Sequence, residues 1–85
     1  MPARSLEIGP AGIRTARAIE ILRTERGLSQ RQLAARCTAL GHLMSNTTVS
    51  RIERVQRRCD VDDLVALADA LRVPLFVILH EPVRS

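Results

Sequence analysis

The stretch LSQRQL at positions 28–33 constrains this chain more than any other. Ser29 and Gln32 stand at the spacing of a capping box. In that motif the Ser hydroxyl accepts the backbone N–H three residues on, while the Gln side chain returns to the Ser N–H. Leu28 and Leu33 flank them at the positions of a hydrophobic staple, which sets the angle at which the chain approaches the helix. A helix therefore starts at Gln30. Its apolar face runs through Leu33, Ala34, Cys37 and Leu40 to Gly41, the natural stop.

The same reasoning predicts four further elements. Residues 1–12, with Pro2, Gly9, Pro10 and Gly12, read as a loosely ordered arm. A first helix is predicted from Ile13 to Arg26, with Ala16, Ile19 and Leu22 facing inward and Gly27 in a left-handed cap. After His42 and Leu43, Ser45 can cap a third helix that ends near Arg54, with Met44 and Val49 repeating the staple. The loop RVQRR follows without Gly or Pro. Asp60 then caps a fourth helix, whose Asp62 and Asp63 suit the positive end of the helix dipole and whose Leu64, Leu67, Ala68 and Leu71 form a buried stripe.

Pro74 opens the last segment, LFVIL. As a helix it turns Leu75, Ile78 and Leu79 inward and leaves Phe76 and Val77 outside as a partner surface, whereas its β-branched residues also allow an edge strand. Residues 81–85 form a tail beyond the domain of residues 13–80.

Composition narrows the class. Eighty-five residues make one small domain, and with Phe76 as the single aromatic its core must be aliphatic, which suits an all-α chain. Two cysteines, Cys37 and Cys59, are too few for a disulfide scaffold. No basic-then-apolar signal segment opens the chain, and no apolar run nears the roughly 18 residues of a membrane span. The expected protein is soluble and cytoplasmic, with no membrane contact. Cys37, His42, Cys59 and His80 lack any CxxC or HxxxH pairing, so no metal site is expected. No nucleophile, base and orienter pattern and no glycine-rich phosphate loop occur, so neither an enzyme nor a cofactor is expected.

Charge then indicates a partner. From Arg14 to Arg58 there are ten Arg against Glu20, Glu25 and Glu53, a net of +7; from Cys59 to Ser85 there are two Arg against five acids, a net of −3. A lopsided basic patch favours a polyanion, most often nucleic acid, and charge alone also fits an acidic protein or a membrane surface. Within the basic half, MSNTTVSRIE at positions 44–53 has only Val49 and Ile52 for a core, leaving Asn46, Thr47, Ser50 and Arg51 outward. Two short adjacent helices joined by a brief turn, with positive charge around them, have the layout of a helix-turn-helix, whose second helix enters the major groove.

The segments LRTERGLSQRQLA, TTVSRIE and DVDDLVALADALRVPL, in that order and spacing, resemble the Cro/C1-type (Xre family) helix-turn-helix of bacterial and phage transcriptional regulators. The likeness spans about residues 13–80. It implies a compact five-helix, lambda-repressor-like domain that binds double-stranded operator DNA, usually as a homodimer. Carried over by position, it implies base reading by Asn46, Thr47 and Arg51 with Ser50 beside them. It further implies phosphate contacts by Gln30, Arg31, Ser45, Arg54, Arg57 and Arg58, with Gln30 also bracing the recognition helix, and a structural role for Glu53. Phe76 and Val77 are the expected dimer interface.

Three departures from the family pattern carry expectations. Leu33 and Ser45 are 12 positions apart, more than the family's usual turn, so the second helix is longer or the turn bulges. Arg54-Val55 replaces the common Asn-Gly, and since Val does not cheaply adopt left-handed geometry, the loop should take another path. Arg72 replaces a common Gly before the last helix and puts that cap in question. The rival reading is a protein-interaction module, such as an antitoxin or adaptor, holding a protein partner through Phe76, Val77 and the tail.

Overall fold

In the computed structural model, residues 8–80 are described, and among them the chain forms five helices and no strand. These are α1 (Pro10–Glu25), α2 (Gln30–Ala39), α3 (Asn46–Glu53), α4 (Val61–Leu71) and α5 (Leu75–Leu79). The tail and most of the expected arm lie outside the described residues. Helix α1 begins three residues before the predicted start, because Pro10 fits the first turn, where its missing N–H costs nothing.

Local signals set most boundaries. Both halves of the Ser29–Gln32 capping box form, at 3.0 and 2.8 Å, and Leu28 and Leu33 are buried behind it. Ser45 accepts the Thr48 N–H at 3.1 Å and starts α3. Asp60 and Asp63 close a second capping box at α4. Gly27 and Gly41 take the positive φ that ends α1 and redirects the chain after α2. Helix α2 stops at Ala39, so the surplus length lies in residues 40–45, a bulged turn.

Two expectations fail at left-handed positions. Val55 sits at φ 60°, so it takes the left-handed conformation that its β-branched side chain disfavours. Neighbouring packing and the Gln56 N–H to Arg51 carbonyl bond of 2.8 Å impose that conformation. Arg72 at φ 61° forms the α4 cap that a Gly usually makes.

Helix α2 packs on α3 and α4, and α1 on α5 and α3. The core gathers Ile19 from α1, Leu33 and Cys37 from α2, Val49 and Ile52 from α3, Leu67 and Leu71 from α4, and Ile78 from α5. Helix α5 is a helix rather than a strand. It turns only Ile78 fully inward; Leu75 is half-buried, and Leu79, expected in the core, is 44% exposed, since five residues make barely more than one turn.

Candidate nucleic-acid interface

Helix α3 is two turns long, too short to persist without tertiary support. Val49 and Ile52 bury one stripe of it, each contributing roughly 1.5–3 kcal/mol relative to exposure. On the opposite side Asn46, Thr47 and Arg51 are exposed, and Ser50 is half-buried rather than fully outward. These four side chains make no hydrogen bond or ion pair among the described residues. The helix thus presents donors, acceptors and a Thr methyl that the fold itself leaves unused.

One buried carboxylate holds the C-terminal end of α3. Glu53 accepts Arg23 Nε at 2.6 Å, Arg23 Nη2 at 3.0 Å and Gln30 Nε2 at 2.9 Å, while Arg23 Nη1 donates to the Leu28 carbonyl at 2.8 Å. The hydrogen bonds to Glu53 raise the pKa of the Arg23 guanidinium, against an opposing effect of burial. Helices α1, α2 and α3 therefore meet at one charge-assisted joint. Gln30 serves there as the expected brace; Glu53 is structural, as its family position implies.

A second carboxylate serves the segments on either side of α3. Thr38 Oγ1 accepts the Met44 N–H at 3.1 Å and donates to the Met44 carbonyl at 3.2 Å, pinning the bulged turn to α2. His42 in that turn lies with Nε2 at 2.8 Å from Asp63 Oδ1. Beyond α3, Arg57 Nη1 donates to Asp63 Oδ2 at 3.0 Å, and the Asp60 N–H reaches the same oxygen at 3.3 Å. Burial alone would raise the Asp63 pKa; hydrogen bonds from His42, Arg57 and Asp60, with the charge of Arg57, outweigh it and hold the carboxyl below its usual range.

The remaining expected site residues lie on α2, at the two caps of α3 and in the loop that follows it. Ser45 is its cap, Arg31 is exposed on α2, and Arg54 is exposed at the C-cap of α3. Arg58 is exposed in the following loop, whereas Arg57 is shared between solvent and Asp63. On α5, Phe76 is 59% exposed with its ring edge-on to His80; Val77, expected outside, is half-buried beside Ile21 and Leu22. Among the described residues no three His, Cys, Asp or Glu side chains could hold a metal ion, and no helix is long and apolar enough to cross a membrane. Burial pushes the Cys37 and Cys59 thiols up to about 11 and 12, which keeps both protonated at neutral pH.

A family model described as a helix-turn-helix domain matches residues 15–75. The chain belongs to the helix-turn-helix domain family. Among solved structures, this helix-turn-helix chain is similar to the restriction-modification controller protein C.AhdI from Aeromonas hydrophila, at 27% identity and a TM-score of 0.70, over 79% of this chain and 94% of that one. It is also similar to a hypothetical transcription factor, NHTF, from Neisseria, at 26% identity and a TM-score of 0.75, over 96% of this chain and 88% of that one. No curated protein sequence matches it. Fold and family together make it a Cro/C1-type helix-turn-helix regulator, with α2 and α3 as the motif.

Helical period and capping rules give His42 and Thr38 no role in this motif and place Asp63 only at the helix dipole. The spacing of Thr38 to the turn was the one available signal. The His42 and Asp63 pairing depends on how α4 packs.

Proposed function

We propose that the protein is a sequence-specific, repressor-like transcriptional regulator that inserts α3 into the major groove of operator DNA as a homodimer. The observation that carries this reading is the outward face of α3. Among the described residues its polar side chains have no partner, while one buried carboxylate holds the C-terminal end of the helix and a second holds the segments before and after it. A solvated helix needs no such fixing; a reading head does.

The side chains match base edges by type. Arg51 can bridge guanine O6 and N7, Asn46 can bridge adenine N6 and N7, and the Thr47 methyl can pack on thymine, with Ser50 beside them at the margin of the face. Arg31, Arg54 and Arg58, with the exposed part of Arg57, surround the helix as phosphate contacts; Ser45 and Gln30 contribute from the α3 and α2 starts. Phe76, together with Val77 beside Ile21, forms the apolar surface of an isologous dimer.

Selection of binding sites from random duplex DNA, at near-physiological salt, tests the reading. Enrichment of an inverted repeat with half-sites about one helical turn apart is expected for a dimeric operator reader. A folded protein that enriches no sequence rejects it.

A further inference from the structure

Helix α3 is anchored unequally. Its C-terminal end is fixed by Glu53 to both α1 and α2, whereas its N-terminal end, which carries Asn46 and Thr47, hangs on the bulged turn of residues 40–45. Within that turn Leu40 and Leu43 are 58% and 88% exposed, and Met44, at 6%, is its one apolar anchor in the core. Met44 in the core, the two Thr38 bonds, the backbone bonds of the Gly41 and His42 N–H groups to the Thr38 and Cys37 carbonyls at 3.0 Å, and the His42 to Asp63 contact tie it to the body of the domain. Of these, the Asp63 contact is the one that reaches α4 through a polar side chain.

We infer that Asp63 is a positioning residue for DNA reading, with His42 as its arm: one buried carboxylate on α4 holds the segment before α3 through His42 and the segment after it through Arg57. This rests on the proposed function above. Asp63 is only 4% exposed, and each of its oxygens takes a donor from a different side of the motif. Helix α4 does not itself approach the outward face of α3. Its carboxylate acts by setting where Asn46 and Thr47 stand relative to Arg51. Bidentate contacts to bases tolerate little displacement, so loosening the turn should degrade sequence reading while leaving the phosphate-contacting charge in place.

That separation supplies the test. Affinity for a selected operator and for scrambled duplex is measured for wild type, His42→Ala, His42→Gln and Asp63→Ala. Simple destabilisation lowers the folded fraction and reduces both affinities alike, leaving their ratio unchanged. A lost pose lowers the operator affinity alone. The expected result is a fall of about tenfold in the ratio for His42→Ala and Asp63→Ala, the worth of one hydrogen bond to a charged group. His42→Gln, which retains a donor for Asp63, should recover most of it. If Asp63→Ala does not fold, the two His42 variants decide the matter, since His42 lies in a half-exposed turn. Wild-type ratios in both alanine variants would overturn the positioning role while leaving the regulator reading intact. A wild type that prefers no sequence would remove both.

Discussion

The guanidinium of Arg23 and the carboxylate of Glu53 meet across thirty residues of chain through two hydrogen bonds, with side-chain exposures of 12% and 3%. Such a pair does little for net stability when compared with an apolar replacement, but removing one partner strands a buried charge. Arg23→Ala should therefore cost about 3 kcal/mol in denaturant unfolding. A loss below about 1 kcal/mol, the scale of a surface ion pair, would show that the joint does not hold α3.

Left-handed backbone at Val55 and Arg72 stores strain that glycine would release. Arg72→Gly should stabilise the domain by about 1 kcal/mol, because Arg72 is exposed and little packing is lost. Val55→Gly should gain less, since the half-buried Val side chain gives up contacts. A lowered melting temperature for Arg72→Gly would contradict the left-handed cap.

How far the sequence carried can be read from distances along the chain. The Ser29–Gln32 box, the Ser45 cap and the Asp60 cap each involve residues three apart, and all three were legible because local geometry alone closes them. The outward placement of Asn46, Thr47 and Arg51 was legible from helical period. Ser50 was misjudged because period gives direction but not how closely neighbours approach. Asp63 was read as a dipole residue because its partners His42 and Arg57 lie 21 and 6 positions away. Propensity alone predicts that Val55 diverts the loop, and the tertiary constraints around it override that preference.

Acid should expose the contribution of Asp63. Its folded pKa lies below the unfolded value of ~3.9, so the stability it contributes is present above that value and is lost as pH falls through the folded one. Wild type should exceed Asp63→Ala in unfolding free energy at pH 7, and the gap should shrink once the pH drops below ~3.9. A gap that stays constant or widens on acidification would contradict the hydrogen-bonded carboxylate.

Self-association should depend on Phe76. With 59% of its surface exposed on a five-residue helix, it is the bulkiest apolar group without a core role. Sedimentation of Phe76→Ala should show a weakened dimer with helicity intact. An unaltered dimer, or a monomeric wild type, would place the interface elsewhere or remove it.

The most direct measurement is the equilibrium affinity of wild type and Arg51→Ala for the selected operator and for variants changed one base pair at a time. Arg51→Ala should lose on the order of 1–3 kcal/mol on the operator and become indifferent to one particular base pair, with binding to scrambled duplex weakened far less. Equal losses on every duplex would make Arg51 a phosphate contact. Unchanged affinity and preference would remove the outward face of α3 from the reading of DNA.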